Sequence, residues 1–433
     1  MRTANCPNLP INPPSDLAGP PKSNGKTILQ ILGRSPIHPF PARMAPEIAL
    51  EALGTGDQAL KVLDPMSGSG TVLAVARAKG HRAYGMDIDP LAVLLSRTWT
   101  RRIQPEETLD AASAAQKEAA ARILISEEEY PPTSDKETRD FIDFWFDRSA
   151  RLELAALSLA INGTTDATIR DALWCGFSRL IITKSAGASL AMDLSHSRPH
   201  RVYSEAPIKP IERFIKSVEK VVANCPQSGS GRIGPPTKVI QGDARSIKMP
   251  DESIDLVVTS PPYLNAIDYI RCSKFTLTWM GHQIGELRDL RSSSVGAEIT
   301  AKDACQTAWV QNLIKELKLD PALSDRDYGL LARYVWDMNL ALGEVGRVLR
   351  TGGRAVYVVG NSSVRGTFVS NSKITEMVGQ RAGLSLSSSQ SRPLPDNRRY
   401  MPPPSLSTSG DKMSGRMREE VVLVFKKVLS EPK

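Results

Sequence analysis

The sequence has 433 residues, of which 41% are hydrophobic and 24% charged, which suits two ordinary domains or one large domain with insertions. The formal net charge of +8 permits a polyanionic partner without proving one. No apolar run approaches the roughly 20 residues that span a bilayer, and the N-terminus lacks the apolar core of a signal peptide. We therefore predict a cytoplasmic protein with no membrane partner.

The five cysteines are scattered and form no C-x-x-C pair, which argues against both a zinc cage and a disulfide framework. His196 and His200 have a metal-like spacing, but they lie in a segment bearing proline and arginine with no cysteine nearby. We expect a loop or a nucleic-acid contact there, and no metal.

Residues 1–26 carry six prolines and little apolar periodicity, and we predict that they form a flexible N-terminal arm. The next segment, 27–99, is predicted to be the cofactor-binding half of a catalytic domain. Within it a helix begins at Pro46, and a strand at 61–64, a glycine loop at 65–70, a helix at 71–79 and a strand at 81–88 form one βαβ unit.

Residues 100–235 have helical rather than strand patterns, and we predict a helical insertion that takes part in target recognition. Its predicted helices cover 107–129, 138–161, 167–186 and 210–224. Residues 236–433 are the predicted catalytic half. Strands at 238–241 and 254–259 precede an irregular segment at 264–323, followed by a helix at 326–349, a strand at 354–359, a helix at 373–383 and a strand at 420–425. This alternation predicts an α/β fold with a mostly parallel sheet and helices on both faces.

The first βαβ unit has the features of a nucleotide-type cofactor site. Gly68 and Gly70 follow a strand, where glycine lets backbone approach a ligand closely. Asp87 ends the next strand and can accept hydrogen bonds from ribose hydroxyls, and Asp243 ends another strand and could accept from an adenine amino group. The loop lacks the third glycine of the dinucleotide fingerprint.

A second motif, Ser260-Pro261-Pro262-Tyr263, follows the apolar strand at 254–259. An aromatic amine is a poor nucleophile because its lone pair is delocalised into the ring. Acceptors on its N–H bonds favour a pyramidal nitrogen, and the Ser260 hydroxyl and the Pro261 carbonyl could supply them. The two prolines hold the backbone rigidly, and Tyr263 offers a face for stacking a base taken out of the duplex.

These segments resemble the S-adenosylmethionine-dependent DNA amino-methyltransferases, whose signature is (Asp/Asn/Ser)-Pro-Pro-(Tyr/Phe). The loop Asp64–Thr71 is similar to the family's cofactor loop, the segment His38–Arg43 to the element that closes over the methionine end of the cofactor, and Arg354–Asn361 to the fifth strand. The resemblance covers about half the chain and implies a Rossmann-like methyltransferase sheet, S-adenosylmethionine as cofactor and flipping of the target base.

The resemblance also implies the site residues. The catalytic ones are Ser260, Pro261, Pro262 and Tyr263. The cofactor-binding ones are Pro39, Asp64, Pro65, Ser67, Gly68, Gly70, Thr71, Asp87, Asp243 and Ala244. Serine at the first motif position is associated in the family mainly with cytosine N4, and aspartate or asparagine mainly with adenine N6. Cytosine C5 chemistry needs a nucleophilic cysteine, there within a Pro-Cys pair, which this sequence lacks.

We therefore predict a site-specific methyltransferase of double-stranded DNA that acts on cytosine N4. Adenine-N6 methylation is the nearest alternative, and an RNA-base or protein-glutamine methyltransferase, an inactive DNA-binding regulator and an oxidoreductase are others. A cognate restriction endonuclease is a further candidate partner. Candidate phosphate contacts fall in three basic groups, one at His196, Arg198, His200 and Arg201, one at Arg271, Lys274, Arg288 and Arg291, and one at Arg392, Arg398, Arg399 and Tyr400.

Overall fold

The computed structural model describes residues 27–40, 43–56, 58–192, 194, 199–227, 234–264, 268–297, 305–319, 323–364, 367–394 and 419–428. Several sequence predictions lie outside these residues. They are the N-terminal arm, Pro41 and Ala42 of the segment before the glycine loop, His196 and Arg198, and the group Arg398, Arg399 and Tyr400.

A seven-stranded sheet forms the centre of the fold. Its strands are β1 (Lys61–Asp64), β2 (Arg82–Asp87), β5 (Lys238–Gln241), β6 (Ile254–Thr259), β7 (Leu349–Gly360), β10 (Leu384–Pro393) and β11 (Glu419–Lys427). Two separate ribbons pair β3 (Ala191–Met192) with β4 (His200–Arg201) and β8 (Ser362–Val364) with β9 (Thr367–Val369). The spatial order of the central sheet is β10-β11-β7-β6-β1-β2-β5.

Six of the seven strands point the same way, and β11 alone is antiparallel to its two neighbours. The chain builds β1, β2 and β5 outward in one direction and then returns to add β6 and β7 on the other side of β1. The order of the strands therefore reverses between β1 and β6. In open α/β sheets, ligands bind beyond the carboxyl ends of the strands at such a point.

The helices of the described residues are α1 (Ile28–Leu32), α2 (Pro46–Leu53), α3 (Thr71–Ala78), α4 (Pro90–Thr100), α5 (Pro105–Arg122), α6 (Lys136–Trp145), α7 (Arg148–Asn162), α8 (Ala167–Ile181), α9 (Pro210–Val222), α10 (Tyr269–Leu277), α11 (Ile284–Ser293), α12 (Ala308–Glu316), α13 (Asp325–Val348) and α14 (Asn371–Arg381). None of them is long and apolar enough to cross a membrane.

Strand side chains alternate between two cores, as the pleat of a sheet requires. Val62 and Val258 pack with α2 and α3 on one face, whereas Leu63 and Val257 pack with α13 and α14 on the other. The predicted mostly parallel α/β sheet with helices on both faces is therefore confirmed.

The chain between β2 and β5 folds mainly as helices. Helices α5, α7, α8 and α9 pack on one another, and α4 connects them to the sheet. Their core also includes Phe275 and Trp279, which come from the segment that follows the Ser260–Tyr263 motif. The insertion is therefore packed against the catalytic half through α10.

Three sequence predictions of local structure were wrong. The segment 264–323 is not irregular but contains α10, α11 and α12. Helix α10 buries Ser273 and Thr276 together with Phe275, so it has no clear amphipathic pattern. The single helix predicted over 138–161 is two helices, because Asp147 caps the start of α7.

The third error concerns β10, a serine-rich strand that the sequence analysis did not predict because serine runs are typical of loops. It pairs along its whole length with the apolar strand β11, so the pairing and not its own composition makes it a strand.

Candidate active site

A pocket lies at the carboxyl ends of the parallel strands, where the strand order reverses between β1 and β6. Most of the predicted site residues line it, namely Asp64, Pro65, Ser67, Gly68, Thr71, Asp87, Asp243, Ala244, Ser260, Pro262 and Tyr263. Pro39, Gly70 and Pro261 do not line the pocket, although each is a chain neighbour or near neighbour of a residue that does. The two motifs, far apart in sequence, thus meet at one site.

The glycine loop brings backbone to the pocket through Gly68. This residue has a φ of +49°, and its N–H donates to Asp87 Oδ2 at 2.8 Å. Gly70, with a φ of +85°, serves a different purpose. A Cβ at Gly70 would lie 2.7 Å from the Cβ of Ser96, so this glycine allows α3 to pack closely on α4. The structure thus gives Gly70 a packing role, and its contact with the cofactor stays a prediction.

Asp87 ends β2 beneath the glycine loop. Its carboxylate accepts from the N–H of Gly68 and, at 3.0 Å, from the N–H of Asp89. Burial raises its pKa, and these hydrogen bonds counteract part of the rise. The carboxylate still lines the pocket, so it has lone pairs to offer to a ligand.

Asp64 ends β1 and is buried. It accepts a hydrogen bond of 2.7 Å from the hydroxyl of Thr259 and one of 3.2 Å from the N–H of Met66. Burial raises the pKa of Asp64 to about 7. The neighbouring Asp89 also has a pKa of about 7, because it is buried and lies near the charge of Asp87. The site therefore contains two carboxyls that titrate near neutrality.

Asp243 is held by Arg245, which the sequence analysis did not single out. The guanidinium donates to both carboxylate oxygens of Asp243, with an Nη2–Oδ2 distance of 2.6 Å. Burial alone would raise the pKa of Asp243, but these bonds outweigh it and lower the pKa. Arg245 also pairs with the buried Asp337 at 2.6 Å and donates to the carbonyl of Ser293.

Arg245 thus connects two walls of the pocket. One wall is the segment 242–244 after β5, and the other is the segment 294–297 after α11. Arg333 extends this network, because it pairs with Asp337 and donates to the carbonyl of Ser292 at 2.9 Å. No sequence motif marks this network, since Arg245 and Asp337 are 92 positions apart.

The hydroxyl of Ser260 has a defined orientation. Ser260 follows β6, beside β7, and its Oγ donates to the carbonyl of Val358 at 3.0 Å. A hydroxyl has one proton and two acceptor lone pairs. Because the proton is used on Val358, the oxygen presents acceptor character to the pocket. Tyr263 lies close by, with its hydroxyl 3.5 Å from Ser260 Oγ, and burial raises its pKa and keeps the phenol protonated.

An aromatic pair covers the glycine loop. Phe40 stacks on Tyr269 with ring centroids 5.7 Å apart and an interplanar angle of 3°. Arg43 Nε donates to the hydroxyl of Ser69 at 3.2 Å and its guanidinium also bonds the carbonyl of His38. The segment that precedes α2 thus lies over the glycine loop. The sequence analysis did not single out Tyr269, although it follows the Ser-Pro-Pro-Tyr motif closely.

The basic residues proposed from sequence differ in their surroundings. Arg291 lines the pocket, Arg271 pairs with Asp268, which also lines it, and Arg288 pairs with Glu137. Arg392 is not available to a nucleic acid, because it is buried and pairs with Glu47 at 2.7 Å and with Glu420 at 3.4 Å. Arg201 lies on β4 above the ring of Phe144 at 5.5 Å. Within the part of the chain that the structure describes, no group of three His, Cys, Asp or Glu residues is placed to hold a metal.

Comparison with known proteins gives one curated relative of similar length. The chain is 25% identical over 426 residues to the type II methyltransferase M.MvaI of Kocuria varians, and the alignment covers 91% of each chain. No family model matches. The chain is thus homologous to a type II methyltransferase over most of its length, and this agrees with the predicted class of enzyme, an S-adenosylmethionine-dependent methyltransferase.

Solved structures of methyltransferases are also similar to this chain. A protein of Thermus thermophilus, described as a DNA modification methylase and solved with S-adenosyl-L-methionine, has 18% identity and a TM-score of 0.22 over 44% of this chain and 56% of its own. An S-adenosylmethionine-dependent methyltransferase of Methanosarcina mazei has 9% identity and a TM-score of 0.33 over 90% of this chain and all of its own.

Proposed function

We propose that this protein transfers a methyl group from S-adenosylmethionine to the exocyclic N4 amino group of cytosine in double-stranded DNA. The observation that carries the proposal is the orientation of Ser260, whose proton is donated to Val358, so that its oxygen acts as an acceptor; one lone pair faces the Tyr263 hydroxyl at 3.5 Å, and the other would accept from an amino group. Ser260 lines the same pocket as the carboxylates that suit the cofactor.

The residues of the pocket fit the proposed cofactor. Gly68 leaves room for close approach of a ligand to the backbone, and a Cβ there would come within 3.6 Å of Phe40. Asp87 would hold the ribose hydroxyls, and Asp243, oriented by Arg245, would accept from the adenine amino group. Asp64 would face the charged methionine end. When bound, S-adenosylmethionine supplies an electrophilic methyl group on a positively charged sulfur, which needs no metal.

The chain's own contribution to the chemistry is mainly positioning. Ser260 Oγ and the carbonyl of Pro261 would each accept an N–H of the target amino group, which favours a nitrogen lone pair directed out of the ring plane. Tyr263 would stack on the flipped base. The rigid Pro261-Pro262 pair keeps these groups in place while the base enters.

The choice of DNA and of cytosine rests on two different supports. The relative of Kocuria varians is named a type II methyltransferase, which favours DNA as the substrate. Serine at position 260, by the family resemblance, favours cytosine N4 over adenine N6. The helical block of residues 100–235 is proposed to take part in target recognition, and a cognate restriction endonuclease remains part of this proposal.

The proposal is tested by the acceptor of the methyl group. Purified protein would be incubated with tritiated S-adenosylmethionine and with unmethylated duplex DNA, the same sequences as RNA, or no acceptor. We expect label in DNA only, and a much lower rate of labelling with Ser260→Ala. Label in RNA would replace the proposed substrate. Cofactor binding without transfer to any of several diverse DNAs would favour an inactive DNA-binding regulator.

A further inference from the structure

Two arginines pair with a single carboxylate at the edge of the pocket, and a lysine lies nearby on the same helix as one of them. Asp268, the N-cap of α10, pairs with Arg291 of α11 at 2.5 Å and with Arg271 of α10 at 3.3 Å. Lys274 lies three residues after Arg271, which places both side chains on one side of the helix. We refer to Arg271, Lys274 and Arg291 as the basic triad.

Lys274 lacks an ion-pair partner of its own within the described residues. Its ammonium lies 4.8 Å from the centroid of the Phe141 ring, which itself packs edge-on against Phe275. Burial lowers the pKa of Lys274, and the charges of Arg291 and Arg271 act against that of Asp268. A partly desolvated cation beside two other cations is stabilised when an anion binds to the group.

The triad is next to the proposed reaction centre. Asp268 and Arg291 line the pocket that also contains Ser260 and Tyr263. A base that enters this pocket stays tied to its strand through the phosphates on either side of its sugar. These phosphates must therefore lie at the edge of the pocket, where arginine and lysine commonly hold backbone phosphates.

We propose that the basic triad binds the DNA backbone phosphate beside the flipped nucleotide, with Asp268 holding the two arginines in position for it. The inference rests on the proposed function, because it takes DNA as the substrate. The same anion-binding chemistry could serve the carboxylate of the cofactor, and the experiment below separates the two sources.

The test compares Lys274→Gln and the double variant Arg271→Gln/Lys274→Gln with the wild type. Steady-state kinetics would be measured for DNA and for S-adenosylmethionine at several salt concentrations. We expect the KM for DNA to rise about 10-fold in the single variant and further in the double variant, with kcat and the KM for the cofactor little changed. The slope of log affinity for DNA against log salt should fall by about 1 for each cation removed.

Lys61→Gln is the matched control, since it removes an exposed lysine at the amino end of β1, the opposite end of this strand from the pocket. It should leave the KM for DNA and the salt slope near wild-type values. A higher KM for S-adenosylmethionine with an unchanged KM for DNA would assign the triad to the cofactor instead. Unchanged values for both would overturn the inference, and circular dichroism would show whether each variant is folded.

The experiment distinguishes an error in the proposed function from an error in this inference. If the wild type labels no DNA, the proposed function is wrong whatever the variants do. If the wild type labels DNA and the variants keep its KM and its salt slope, only the phosphate site is wrong.

Discussion

The two sides of the pocket are built differently. The cofactor side comes mainly from residues at the ends of β1 and β2 and in the loop between β1 and α3, such as Asp64, Gly68 and Asp87. The target side combines the Ser260–Tyr263 motif with α10, with the segment after α11 and with Arg245. The first side is local in sequence, whereas the second depends on contacts between distant segments. Substitutions on the two sides should therefore impair different properties of the protein.

The largest expected effect is on turnover. Ser260→Ala removes the oriented acceptor, and we expect kcat to fall by a factor of roughly 100 to 1,000, by analogy with the loss of one preorganised hydrogen-bonding group. The dissociation constant for S-adenosylmethionine should stay near the wild-type value, because the cofactor side is intact. Isothermal titration with cofactor and single-turnover transfer to DNA would check this pair of results. An equal loss of cofactor affinity would show that the two sides are not separable at Ser260.

The next effect concerns the network that joins the two sides. Among the described residues, Arg245→Gln leaves the buried Asp337 with Arg333 as its one paired cation, and we expect the free energy of unfolding to fall by about 3 kcal/mol. Asp243 also loses its guanidinium partner, so the KM for S-adenosylmethionine should rise. Urea unfolding and steady-state kinetics would measure the two effects.

Arg350→Gln is a suitable control for this prediction, because Arg350 is half-exposed and pairs with Asp255 at 2.6 Å at the amino end of β7, the opposite end of this strand from the pocket. It should cost less than about 1 kcal/mol and leave the kinetics unchanged. Equal losses of stability in both variants would contradict the view that Arg245 holds the pocket walls together.

The sequence predicted the cofactor side better than the target side for a physical reason. A strand, a glycine turn and an acid at the end of the next strand are near in sequence, so their order alone indicates a site. Arg245, Asp268 and Arg291 belong to the site through tertiary contacts. Arg245 pairs with Asp337 on α13. Helix α10 was not predicted from the sequence, because it buries polar side chains and so has no clear amphipathic pattern. For Gly70 the sequence indicated that the residue is important, but it did not indicate that the residue has a packing role.

The two loop glycines sharpen this distinction. Gly70→Ala should cost about 3 kcal/mol, because a Cβ would meet Ser96 at 2.7 Å and because φ is +85°. Gly68→Ala should cost about 1–2 kcal/mol, since φ is +49° but the nearest atom is Phe40 Cε1 at 3.6 Å. Only Gly68→Ala should weaken binding of S-adenosylmethionine directly. Thermal unfolding should show the larger loss of stability in Gly70→Ala, and cofactor titration should show the larger loss of affinity in Gly68→Ala. If one variant is the more impaired in both assays, these assignments are contradicted.

The last effect is a pH dependence on the cofactor side. The pKa of Asp64 is about 7 in the folded protein and about 3.9 in an unfolded chain. Its contribution to stability is therefore complete below about pH 4 and is lost as the pH rises through 7. The slope is at most about 1.4 kcal/mol per pH unit. Asp64→Asn should flatten this decline, although the part due to Asp89 remains. Urea unfolding at pH 5 to 8 would test it, and an unchanged slope in the variant would show that Asp64 does not titrate there.

The central claim is that Ser260 directs methylation to the amino group of cytosine. The most direct test is to methylate duplex DNA with the wild-type protein, digest it to nucleosides and identify the product by mass spectrometry against authentic standards. The account predicts N4-methyl-2′-deoxycytidine. N6-methyl-2′-deoxyadenosine would keep the geometry of the site but contradict the assignment of the base, and 5-methyl-2′-deoxycytidine would contradict the mechanism itself.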